Sequence, residues 1–352
     1  MMRRVQTLFC LLIGLATVRV AGAAEPRVVE NSAHGLWDEA PRKTFGILED
    51  LYVAGDDEEN GLIFGRIADV AVDSHNRMLI LDGGFNCVKV FDPDSMVVHT
   101  IGRNGEGPGE FNQPTAIAVD AEDRIYVASQ GGRIGIFAPN GEWIEEFRHQ
   151  FPGGVVIDME AVPTALYMAC YDYVDKKVVH RYDAKHRYVS SFSDSWSVVK
   201  PTPPGELWAQ GGFIDVDANG YVYYTQFTPY EIRKFSPDGQ LLLTIHREND
   251  YMKPPVIERK GDSVAFHIYS GPTCILALDN GMILNVLLYF ASDSDVVNVK
   301  TVFDLFDADG RLLKSILKEG KIVVRCRDAQ GRVYASRESN VPEVARYRLA
   351  FR

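Results

Sequence analysis

One phrase recurs along this chain at long, similar intervals: an aromatic residue followed by a turn. It reads FDPDS at Phe91, FAPNG at Phe137, YDAKH at Tyr182, FSPDG at Phe235 and FDADG at Phe306, with spacings of 46, 45, 53 and 71 residues. Pro or Ala, then Asp or Asn, then Gly suits a type I turn that feeds a strand. Strand-like runs follow each turn: VVHTIG, WIEEFR, YVSSFS, LLLTIH and LLKSIL. Earlier in each unit an apolar run reaches an aspartate, as in IADVAVD at Asp73, TAIAVD at Asp120, FIDVDANG at Asp217, CILALDNG at Asp279 and VVRCRDAQG at Asp328. The Asp-to-Gly stretch after it has hairpin chemistry, so Asp73, Asp120, Asp217 and Asp279 read as turn caps.

Each unit is thus four short antiparallel strands, and almost no 3.6-residue periodicity follows residue 24. Four-stranded units of about 45 residues, repeated many times, are the signature of a β-propeller. Five full blades are expected near 66–102, 114–148, 155–193, 213–247 and 273–317. A sixth starts at Lys321 but holds only three strands before the chain ends. The segment TFGILEDLYVA, from Thr44 to Ala54, supplies the missing outer strand, so both ends of the chain seal the ring. The expected fold is all-β, a six-bladed propeller over 42–352 closed by an N-terminal strand, with 24–41 as an extension before it.

The glycine-rich stretch IGRNGEGPGEFNQPTAIAVD, from Ile101 to Asp120, invites a phosphate-binding reading. It lacks the Gly-Lys-Ser/Thr ending of a P-loop, and a strand follows it where a helix N-terminus would be needed. It reads instead as the crossing from one blade's outer strand to the next blade's inner strand.

Gly102 to Phe147 closely resembles the NHL repeat, in which a loop ending in Gly-Pro-Gly-Glu-Phe precedes Pro-x-x-Ile-Ala-Val-Asp. The whole chain is similar to bacterial six-bladed propellers built of NHL-like units. The likeness is strong in blades one and two, moderate in four, and thin in three, five and six.

Arg3 and Arg4, the apolar run from Leu8 to Val18, and Ala21-Gly22-Ala23 read as an export signal over 1–23. A periplasmic or extracellular protein is expected. Losing Arg3, Arg4 and Arg19 takes the net charge from −11 to −14. Such a surface repels nucleic acid and anionic membranes. No later run reaches the ~18 apolar residues of a membrane span. Cys87, Cys170, Cys274 and Cys326 fall in apolar runs without metal-type spacing and are expected to be buried free thiols.

Asp69, Asp158 and Asp215 fall inside predicted innermost strands. Among β-propellers, lactonases and gluconolactonase-like enzymes hold calcium in the central channel with oxygen ligands. Calcium takes about six to eight oxygen ligands, of which these three carboxylates would supply the first; the alternative is that they face channel water. The eight histidines show no HExxH or i, i+4 pairing, and a three-His zinc site of the kind found in NHL-type amidating lyases needs tertiary convergence. No Gly-x-Ser-x-Gly elbow appears, and no cofactor is expected beyond that calcium.

The blade joins at 196–212 and 248–272 are long and carry Trp196, Trp208, Tyr251, Phe266 and Tyr269. Long aromatic loops on a rigid scaffold often carry recognition. Together with Arg66, Gln113 and Phe213, which precede their inner strands, Trp208, Tyr251 and Tyr269 mark a ligand-binding channel mouth. The leading expectation is a monomeric binding or scaffold module for a protein, peptide or glycan. The alternative is a metal-assisted hydrolase or lyase with its site in the channel.

Overall fold

The computed structural model describes residues 25–352 apart from 41, 55, 58–61, 94–96, 150–154, 171–175, 195–210, 227–228, 250–255, 261–262, 268–269, 291–298 and 339–340. The expected export signal at 1–23 lies outside the described residues. Among those described, no helix is long and apolar enough to cross a membrane.

The chain forms six antiparallel four-stranded blades, with a single 3₁₀ turn as its helical content among the described residues. The inner strands are Ile67–Val72, Ala116–Val119, Asp158–Val162, Gly212–Val216, Ser270–Ala277 and Ile322–Arg327. Each touches the next, and the sixth touches the first, so the ring is closed. Second strands such as Met78–Asp82, Ile125–Ser129 and Ala165–Ala169 are buried at every position. A sheet apolar on both faces cannot stand alone in water, which is why the blades stack. The apolar clusters lie between blades: Val88, Val90 and Ile101 of blade one pack against Ile117, Ile125 and Val127 of blade two.

Phe45–Ala54 is the outer strand of blade six, antiparallel to Pro342–Phe351, with Phe45 opposite Phe351 and Glu49 opposite Tyr347. The Phe45 and Phe351 rings stack at 5.6 Å. Inward-facing Ile47 and Val53 are buried. The two chain ends therefore share one sheet.

The N-terminal stretch before that strand also belongs to the fold. Arg27–Asn31 adds a fifth, parallel strand to the outer edge of blade four. Asn31 then bridges two blades. Its Nδ2 donates to the carbonyls of His246 at 3.1 Å and Gly310 at 2.9 Å, and its Oδ1 accepts the Leu312 amide at 2.7 Å. Leu36 and Trp37 donate their amides to Leu312 and Leu313 of blade five. Residues 27–37 thus form a belt across the outer edges of blades four and five, leading to blade six.

The hairpin aspartates do the work expected of them, with one exception. Asp73 Oδ1 accepts the amides of His75 and Arg77 while its Oδ2 pairs with the Arg77 guanidinium, and Asp120 and Asp328 repeat this with Arg124 and Arg332. Asp217 accepts the amides of Asn219 and Tyr221. Asp279 is displaced by one position. Leu278 closes that hairpin, receiving the Gly281 amide on its carbonyl and donating to Met282, and Asp279 instead pairs with Arg327 of blade six at 2.9 Å.

The glycine loop folds onto its own chain. Gly102 adopts φ +72°, and a Cβ there would collide with the Phe111 ring. Glu110 Oε2 accepts the Gly107 amide at 2.9 Å while Oε1 takes Arg103 Nε at 2.9 Å. The loop's own carboxylate thus takes up the Gly107 amide and the Arg103 guanidinium.

Candidate functional site

The inner strands surround a cavity of about 270 Å³ on the ring axis. Five acidic residues line it, Asp69, Asp158, Glu160, Asp215 and the hairpin residue Asp328, together with Arg325 and Arg327. Three of these carboxylates join adjacent blades. Asp69 Oδ1 accepts its neighbour's amide, Val70, and Oδ2 accepts that of Ile117 in blade two, both at 2.9 Å. Asp158 does the same with Met159 and with Ile214 of blade four, both at 2.9 Å. Asp215 does so with Val216 at 2.8 Å and with Ala277 of blade five at 2.6 Å.

Burial pushes the Asp69 and Asp215 carboxyls up to about 6 each, with Arg325 and Arg327 respectively opposing the rise. Burial, reinforced by repulsion from neighbouring carboxylates, drives Asp158 and Glu160 well above the usual range. Among the described residues, two triads of His, Cys and acidic side chains have ligand atoms within 4.8 Å of one another: His149, Cys170 and His180, and Asp73, His75 and Asp123. Asp69, Asp158 and Asp215 do not form such a triad.

A second feature lies at the end of the ring where the inner strands begin. Antiparallel order brings the turn between the second and third strands of blade one to that same end. Asp82, fully buried, organises it. Its Oδ2 accepts the Gly65 amide at 2.9 Å, and its Oδ1 accepts those of Arg66, Gly84 and Phe85 at 3.1, 2.9 and 3.1 Å. The side chains of Arg66 and Phe85 nevertheless face outward, Phe85 being 50% exposed. The Arg66 guanidinium lies over Gly83, where any Cβ would collide with it. Lys89 Nζ sits 5.3 Å from the centroid of the Phe85 ring and 5.3 Å from that of Phe64.

Gln113, at the entry to blade two, is exposed and adopts φ +48°. Asn86, itself at φ +54°, holds the Gln113 amide through Oδ1 at 2.9 Å. Left-handed backbone at two non-glycine residues persists only where surrounding contacts fix it. Arg66, Phe85 and Gln113 are therefore exposed side chains on a fixed frame.

Of the mouth residues expected from sequence, Arg66 and Gln113 are both exposed at this end of the ring. Phe213 is half-buried, opposite Thr225, and packs into the cluster between blades four and five. Trp208, Tyr251 and Tyr269 lie outside the described residues, as does Trp196. The sequence reading passed over Phe85, an aromatic inside the turn Asp82-Gly83-Gly84-Phe85-Asn86. It also passed over Glu160, Arg325 and Arg327.

A family model described as a 6-bladed beta-propeller matches residues 59–234. The chain belongs to this six-bladed β-propeller family. The NHL character read from blades one and two is borne out by relatives named NHL repeat-containing protein 3. The mouse protein is 38% identical over 91 residues, covering 24% of this chain and 26% of the relative. The human protein is 34% identical over 98 residues, covering 26% and 28%. The chain thus spans only about a quarter of the length of these relatives. Among solved structures, a member of the DUF4221 family from Bacteroides vulgatus superposes with a TM-score of 0.61 at 9% identity, covering 87% of this chain and 98% of that one. A streptogramin B lyase superposes with a TM-score of 0.50 at 10% identity, covering 87% and 98%. At these identities the likeness is one of fold alone.

Proposed function

We propose that this six-bladed β-propeller is an exported binding module that takes a protein, peptide or glycan on the face where its inner strands begin. The observation that carries this reading is the frame built by Asp82 and Asn86, which fixes Arg66, Phe85 and Gln113 in exposed positions. Preorganised contacts lose little entropy on binding, and an exposed aromatic beside an arginine is the composition of a binding hot spot. Phe85 offers a flat apolar face to a sugar ring or an apolar side chain. Arg66 offers two parallel donors to a carboxylate, and Gln113 offers a donor and an acceptor for orientation. The channel carboxylates of Asp69, Asp158 and Asp215 already accept two amides each, which supports a structural use of the axis over a metal-assisted one.

The test is calorimetric titration with acidic peptides and with acidic oligosaccharides, repeated on Phe85→Ala and Arg66→Ala. Both substitutions are at exposed sites and should move stability by no more than about 0.5 kcal/mol. The reading expects a binder whose affinity falls at least tenfold in each variant. Binding that both variants retain in full would place recognition elsewhere.

A further inference from the structure

Away from the channel and the proposed binding face, three side chains converge at the boundary of blades two and three. His149 follows the outer strand Trp143–Arg148 of blade two. Cys170 follows the second strand of blade three, Ala165–Ala169, and His180 lies in the third, Lys177–Asp183. All three are buried, at 4%, 1% and 0% exposure. Their ligand atoms lie within 4.8 Å of one another. We infer that His149, Cys170 and His180 form a binding site for a soft monovalent metal ion, Cu(I).

The geometry is near that of a coordination sphere. His149 Nε2 is 3.1 Å from Cys170 Sγ. With metal–sulfur and metal–nitrogen bonds of about 2.3 and 2.0 Å, adjacent ligand atoms sit about 3.5 Å apart, so an opening of a few tenths of an ångström admits an ion. The rest of each ring is already oriented. The other nitrogen of His149 is 2.7 Å from the Tyr182 hydroxyl, and His180 Nε2 is 3.3 Å from the Cys170 carbonyl, which directs the Nδ1 lone pair as the coordinating one. Partners on the second nitrogen fix the tautomer and direction of a metal-binding imidazole.

Charge selects the ion. One thiolate and two neutral imidazoles cancel a single positive charge and leave a divalent ion with one uncompensated. In a dry site a net charge is costly, and thiolate with imidazole suits Cu(I). Binding replaces the thiol proton with the metal and releases that proton to solvent, with no change in oxidation state.

The test is an anaerobic titration of the full-length protein with Cu(I) against a chromophoric chelator, in parallel with Zn(II). Cys170→Ser, His149→Gln and the channel-thiol control Cys326→Ser are compared, and each variant's metal-free melting curve is recorded. The expected result is one Cu(I) per chain, affinity at least a hundredfold weaker in the Cys170 and His149 variants, and wild-type affinity in the Cys326 variant. A His149→Gln protein with the wild-type melting curve and wild-type Cu(I) affinity would overturn the site. So would a wild type that takes no Cu(I), or one that prefers Zn(II).

Discussion

Asp215 Oδ2 accepts the backbone amide of Ala277 at 2.6 Å, across the boundary between blades four and five. Asp69 and Asp158 make the same contact to Ile117 and Ile214. An inner strand has a neighbour blade on its flank but no ladder partner toward the channel, so its amides need acceptors from elsewhere. These carboxylates supply them and fix the spacing of the ring. Asp215→Ala should therefore destabilise the protein by about 1–3 kcal/mol, the cost of stranding buried amides. Urea denaturation at neutral pH checks it, and an unchanged midpoint would remove the contact from the account.

Glu160 offers a pH test. Its carboxyl is held well above the usual range by burial, helped by Asp215 and Asp158. The folded protein keeps a proton that the unfolded chain releases above about 4.3. Stability from this group is therefore full at low pH and declines as pH rises, by up to about 1.4 kcal/mol per unit. His149, held neutral, slopes the other way at acid pH, so the readout is a difference between two proteins that share it. Wild type should lose stability relative to Glu160→Gln as pH rises from about 4.5 to 8. Parallel curves would contradict the burial argument.

The belt hangs on Asn31. Its side chain makes three hydrogen bonds to blades four and five. Asn31→Ala should cost about 1–3 kcal/mol and should speed proteolytic cleavage between residues 32 and 44. Cleavage at the wild-type rate would show that the belt is held by other contacts.

Gly102→Ala tests the crossing between blades one and two. The positive φ and the Phe111 ring both oppose a Cβ there. A loss of more than about 1 kcal/mol is expected, and phosphate should not raise the melting temperature of wild type. A phosphate-dependent rise would revive the anion-binding reading.

The ring and its closure were legible because they rest on repetition and on a count: five full units, a sixth one strand short, and a spare strand near Phe45. The belt was not, because Arg27–Asn31 pairs through its backbone and carries no apolar alternation, with Val28 exposed. Asp69, Asp158 and Asp215 were legible as inward residues, but their partners are backbone amides of the next blade, which no side-chain pattern announces. Asp279 misled because a one-residue offset leaves the Asp-Asn-Gly string intact while moving the turn to Leu278. The triad of His149, Cys170 and His180 spans two blades, and only the ring geometry brings it together.

The central claim is that the ring holds only when the N-terminal strand completes blade six. The most direct measurement is thermal unfolding of a chain beginning at residue 57, alone and with a synthetic peptide of residues 25–56 added in trans. The account predicts that the truncated chain lacks a cooperative transition and that the peptide restores one. A peptide carrying Asp in place of the buried Ile47 and Val53 should not. A truncated chain that melts cooperatively at the full-length temperature without any peptide would contradict it.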